Sequence, residues 1–155
     1  MATDVRDMSA QQVIDSLALE YLEGEGCWIR VLWRTPHANA IYGLITPQDF
    51  SALHRLAEDE AWTYVAGDAA DMLILRPDGT HERVMLGTDV GAGQVPHYNV
   101  PAGTWQGTLT TGEWTLVTCV LAPPFSGFEL ATRSSDLSAW QDVRKEIDER
   151  MRIAT

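Results

Sequence analysis

The stretch AIYGLITPQDFSALHRLAEDEAW, residues 40–62, decides the fold. It holds two short runs rich in β-branched, aromatic and aliphatic residues, Ala40–Ile45 and Ala52–Leu56. Thr46-Pro47 breaks the first, and a third run opens at Ala61–Val65. Such punctuation every few residues reads as successive strands. Working outward, Met72–Leu75 and His81–Leu86 flank Asp78-Gly79, a pair that tolerates the positive φ a tight hairpin needs. Trp28–Trp33 precedes the quoted stretch, and Val95–Val100, Trp105–Leu109, Trp114–Leu121 and Gly127–Leu130 follow it. About ten short strands with frequent turns predict an all-β sandwich or barrel.

Helical spacing appears only at the two ends. Val13, Ile14, Leu17 and Tyr21 predict an amphipathic helix over Ser9–Tyr21, ended by Glu23-Gly24-Glu25-Gly26. Leu137, Trp140, Val143, Ile147 and Met151 predict a second helix, about 136–152, with Ser135 as its N-cap. With 155 residues and no linker, the chain is expected to form a single domain, 1–155, with a barrel core at about 25–132.

A formal charge of −11 repels phosphate backbones and anionic headgroups, so neither nucleic acid nor a membrane surface is an expected partner. No apolar run approaches the roughly 20 residues of a membrane-spanning helix, and Met1–Asp15 has no signal-like pattern. Cys27 and Cys119 stand apart without a CxxC and read as reduced thiols, Cys27 buried and inert. A cytoplasmic protein is expected.

The quoted stretch, followed by Gly67-Asp68, resembles the first motif of the cupin superfamily, and within it the small cupins of the fifth cupin family, formerly a domain of unknown function. The resemblance continues in Pro77-Asp78-Gly79, Leu86-Gly87-Thr88-Asp89, Gly93-Gln94-Val95-Pro96, the run Val100–Gln106, Thr115–Pro123 and Phe128-Glu129-Leu130. It implies a double-stranded antiparallel jelly-roll barrel with short terminal helices, a ligand cavity inside the barrel, and a homodimer. Against the metal-binding cupin pattern, His54 matches the first histidine, Leu56 replaces the second, Glu60 matches the acid and Gln106 replaces the third histidine. Two strong ligands fall short of the three or four that stable sites use, so no cofactor is expected. A looser divalent transition-metal site would draw on His54, Glu60, His97 and Gln106.

Without a metal, an imidazole and a carboxylate in a partly apolar cavity can hold complementary protonation states and move a proton beside a carbonyl. His54 and Glu60 are therefore the expected catalytic pair, His54 sharing a face with Ala52 and Leu56, Glu60 with Trp62 and Tyr64. Arg30, Tyr42, Trp62, Tyr64, Gln94, His97, Trp105 and Gln106 are the expected substrate-binding residues, aromatic rings suiting a planar or cyclic ligand and Arg30 an anion. Trp28 and Trp105 could equally fill the core, whereas Trp62 and Tyr64, beside Glu60, favour the pocket, and His97 could be an acid/base group or a plain hydrogen-bonding residue. Arg55 should point outward, Glu58 and Asp59 into solvent, and His37 and His81 should be idle. Three functions stay open: a metal-independent isomerase, epimerase or cyclase on an oxygenated metabolite, a noncatalytic small-molecule binder, and a metal-dependent oxygenase.

Overall fold

A computed structural model describes residues 3–152. Eleven strands form two antiparallel sheets packed face to face in a jelly roll. The six-stranded sheet runs β1 (Glu20–Tyr21), β2 (Trp28–Arg34), β3 (Asn39–Ile45), β10 (Thr115–Ala122), β5 (Asp59–Gly67), β8 (His97–Val100). The five-stranded sheet runs β11 (Phe128–Leu130), β4 (Ser51–Leu56), β9 (Trp105–Thr110), β6 (Ala70–Leu75), β7 (His81–Leu86). All ten expected strands are present. The addition is β1, too short for any period-2 signal.

Alternation along the strands sorts the side chains. Met72 and Ile74 of β6 point into the lumen beside Ile45, Val117, Cys119 and Leu121. Leu73 and Leu75 of the same strand face outward into a second apolar layer with Leu53, Trp140, Val143 and Ile147. Burial on both faces explains why β6 reads as a continuous apolar run. On the opposite side, helix α1 (Ala10–Leu17) lays Val13 and Ile14 over Leu44, Leu116 and Trp114 on the outer face of the six-stranded sheet.

Several local expectations need correction. The first helix is shorter than Ser9–Tyr21: Ser9 and Gln12 close a capping box, and Ala18 leaves the helix with φ 54, before the glycines. The chain over 136–152 is not one helix. A 3₁₀ segment, Ser138–Val143, is interrupted by non-helical Trp140 (φ −121) and meets helix α2, Arg144–Asp148. At the break, the Trp140 indole donates to Thr80 O in the turn before β7 at 3.0 Å. Ser135 does not cap this segment but closes a turn by accepting from Thr132 N. Glu58 is buried, taking bonds from Ser126 N (3.2 Å) and Ser126 Oγ (2.7 Å), whereas Asp59 is exposed as expected.

Candidate functional site

The site grows from β4, whose inward face carries His54 opposite Gln106 of β9. The imidazole is 2% exposed, so both ring nitrogens need partners. Nδ1 lies 2.6 Å from Ala52 O, and Nε2 lies 2.8 Å from Glu25 Oε1. An acceptor at each nitrogen suits the doubly protonated imidazolium. Burial pulls the His54 pKa down, but the charge and hydrogen bond of Glu25, then Glu60, outweigh it and lift the value to about 9. For Glu25, burial pushes upward, yet His54 together with hydrogen bonds from Ser51 (2.9 Å) and the Cys27 thiol (3.3 Å) holds it below the ordinary carboxylate range. Burial raises the Cys27 thiol, which stays a donor.

Glu25 is fixed by its backbone. Its carbonyl accepts from Ala52 N at 3.1 Å and from Arg152 Nε at 3.1 Å, and the same guanidinium reaches the carbonyls of Gly26, Gln48 and Phe50. Gly26 permits this approach: its φ is +101, and a Cβ there would stand 2.0 Å from Arg152 Nε.

Glu60 lies on β5 with the Trp62 indole and the Gln106 amide each donating to Oε1 at 3.0 Å. Burial raises its pKa to about 7, the His54 charge opposing that rise and Glu25 adding to it. The lumen thus places two carboxylates around one imidazole. A pocket of about 110 Å³ opens on this cluster, with Glu25 and His54 in its wall, Phe125 and Phe128 across from them, and exposed Arg34 among its lining. Glu60 is not in that wall. A smaller cavity of about 20 Å³, between Glu25, Cys27, Trp62 and Cys119, shares Glu25, Ile29 and Ile41 with that wall.

Of the residues expected from sequence, His54, Glu60, Trp62 and Gln106 come together. The others do not. His97 is exposed on the outer face of β8, bonded to Thr63 and Asn99, because Tyr98 and Val100 take the inward positions. Arg30 is exposed and donates to Leu17 O at 3.1 Å, serving the end of α1 rather than an anion in the lumen. Tyr42 packs outward against the α1 layer. Trp105 belongs to the outer layer of the five-stranded sheet, with the Arg55 guanidinium 4.5 Å above its ring. Gln94 steadies a turn by accepting from Asp89 N, and the Tyr64 hydroxyl donates to Gly67 O. Arg55 does point outward and pairs with Glu129; His37 is exposed, and His81 meets Asp142 at 2.8 Å. Glu25 is the residue that sequence reasoning missed. The signal was a carboxylate set between Gly24 and Gly26, read as a turn alone.

The donor set does not suit a cupin-type metal. At the four ligand positions stand His54, Leu56, Glu60 and Gln106; His54 has both nitrogens engaged, Gln106 turns its amide nitrogen to Glu60, and His97 is outside the barrel. Among the described residues, no three His, Cys, Asp or Glu side chains converge as a metal site.

Two face-packed antiparallel sheets with a polar cluster in the lumen define a cupin barrel. The chain belongs to the cupin superfamily family known as Cupin_5 (DUF985), which matches residues 11–133. No curated protein matches the sequence. Among solved structures, a protein from Shewanella oneidensis is 27% identical with a TM-score of 0.87, covering 95% of this chain and 99% of its own. A hypothetical protein from Leishmania major is 26% identical with a TM-score of 0.84, covering 93% and 99%. The polyketide cyclase RemF from Streptomyces resistomycificus, 15% identical with a TM-score of 0.56 over 98% and 99%, shares the fold. Among the described residues, no helix is long and apolar enough to cross a membrane.

Proposed function

We propose that the protein is a metal-independent acid/base enzyme of the isomerase, epimerase or cyclase type, acting on a small oxygenated organic molecule. One observation carries the reading: the buried ion pair of His54 and Glu25 forms part of the wall of a small pocket. A substrate carbonyl that displaces Glu25 Oε1 from its 2.8 Å contact takes over the Nε2–H of His54, a proton donor that its pKa of about 9 keeps loaded at neutral pH. The Glu25 carboxylate beside it takes a proton from the carbon next to that carbonyl while His54 protonates the oxygen, giving the enol; His54 then recovers the oxygen's proton as Glu25 returns its own, or one exchanged with solvent, to the carbon, and both groups end as they began. Glu60, outside the pocket wall, acts through His54 by holding its charge. This shifts the expected pairing of His54 with Glu60 to His54 with Glu25.

The test is solvent-deuterium incorporation into a panel of small carbonyl compounds. The wild type is expected to incorporate deuterium, and His54→Asn to lose about 10²–10⁴ of the rate. Glu25→Gln should lose as much and Glu60→Gln distinctly less. Equal loss from Glu60→Gln would restore the original pairing. Binding without exchange anywhere in the panel would favour the noncatalytic reading, which the complete hydrogen bonding of the His54 ring supports. The homodimer belongs to the same reading: Val31 is 57% exposed and Trp33 46%, apolar surface that a second subunit would cover. Light scattering is expected to give a dimer mass, and a monomer at micromolar concentration would remove that element.

A further inference from the structure

The chemistry of the pocket wall restricts what can enter. Apart from Glu25 and His54, its lining is largely aliphatic and aromatic, including Ile29, Ile41, Leu56, Leu121 and Phe128. A hydroxyl group placed against those side chains would give up its water and gain no partner, which disfavours its entry. Size restricts it further. At about 110 Å³, against the roughly 150 Å³ engineered cavity that accepts one benzene, the pocket has room for an acyl chain of a few carbons, with any carboxylate left outside at exposed Arg34.

The remaining polar lining is Arg34 and Asn39, and both already grip the loop beyond β10. Asn39 Oδ1 accepts from Phe125 N at 2.6 Å, and Arg34 Nη1 donates to Phe125 O at 2.9 Å. Arg34 is exposed, and among the described residues it has no carboxylate partner. A guanidinium has five N–H groups, so one bond to a carbonyl leaves capacity for an anion. In a chain of net charge −11, an unpaired arginine at the edge of an apolar pocket is a local attraction for a single negative charge, while a second would face the acidic surface.

We propose that this pocket binds short aliphatic oxo acids carrying one carboxylate, the acyl part against the apolar wall, the carbonyl at His54 and the carboxylate at Arg34. Sugars and uronic acids are rejected by the aliphatic lining, and fused polycyclic compounds by size. This substrate class rests on the acid/base reading above for its orientation, and its own evidence is the lining and the arginine.

Saturation-transfer NMR with 4-oxopentanoate, 2-pentanone and galacturonate tests it on the intact protein. The expected order is 4-oxopentanoate about tenfold tighter than 2-pentanone, with galacturonate not bound. Arg34→Gln should erase the difference between oxo acid and ketone, Arg34→Lys should keep most of it, and Leu121→Trp should abolish both by filling the pocket. Galacturonate binding as well as 4-oxopentanoate, no binding of any probe, or oxo-acid binding indifferent to both Arg34→Gln and Leu121→Trp would each overturn the proposal. Binding in the expected order without deuterium exchange in 4-oxopentanoate would support this substrate class while overturning the catalytic reading for that compound.

Discussion

Two of the buried charge clusters are treated differently. Outside the five-stranded sheet, Arg150 is 1% exposed, and its guanidinium donates to Gly107 O, Glu146 O and Asp71 O at 2.9–3.0 Å while pairing with Asp71 Oδ1. Asp71 is shared with Arg83. Every guanidinium nitrogen of Arg150 donates. In the lumen, Glu25 and Glu60 share one imidazole, Gln106 Oε1 and Thr108 Oγ1 have no partner among the described residues, and one side of the group opens to a pocket. A saturated ion cluster holds chain segments in place. An ion pair that opens on a pocket, with pKa values displaced in opposite directions, is a setting suited to moving protons.

The sharpest contrast should come from Arg150→Met. It leaves Asp71 and two carbonyls underbonded in the interior and is expected to destabilise the protein by about 3–5 kcal/mol, measured by urea denaturation. The His54 Cε1–H titration followed by NMR should keep its midpoint. A matching shift would show that the two clusters are one network.

A pH series separates them further. The His54 pKa rises from an ordinary 6.5 to about 9 on folding, so its contribution is complete below 6.5 and is lost as pH climbs through 9. Glu60 rises from 4.5 to about 7, so folding favours its protonated form, and that contribution fades between 4.5 and 7. Glu25, held low, acts the other way and loses its contribution as the medium turns acid. Denaturation midpoints should therefore fall from pH 6 to pH 10. Glu60→Gln should flatten the portion below 7 and lower the His54 midpoint. An unchanged midpoint would contradict the placement of Glu60 beside His54.

Smaller effects follow at the edges of the two clusters. Arg152→Gln removes bonds to four carbonyls and is expected to cost about 1–2 kcal/mol. It should also lower the His54 midpoint, because the Glu25 loop loosens, with Arg152→Lys intermediate. Arg55→Ala, which breaks an exposed pair with Glu129, should change stability by less than about 1 kcal/mol and leave His54 alone.

Much of this was legible in the sequence, and the failures have physical causes. Period-2 patterning located all ten longer strands, and the motif positions of His54, Glu60 and Gln106 led to the lumen because strand alternation fixes which face a residue takes. Alternation could not assign Trp105 or Tyr42, since both faces of this barrel are covered by apolar layers and inward and outward aromatics look alike. Glu25 was hidden for another reason. It sits on no regular strand, and what aims it at His54 is a guanidinium 127 residues away. Long-range contacts of that kind leave no periodic trace.

That separation also orders events during synthesis. At roughly 5–20 residues per second, Arg152 is joined to the nascent chain some 6–25 s after Glu25. The carbonyls of Glu25, Gly26, Gln48 and Phe50 then wait for the side chain that gathers them, while β4 waits for Arg150, whose carbonyl receives Leu53 N at 2.8 Å. An incomplete chain could pair its sheets and still lack an aligned imidazole and carboxylate. Alignment of His54 with Glu25 therefore waits for residues 150–152, which are joined after every strand of the barrel that houses the pair.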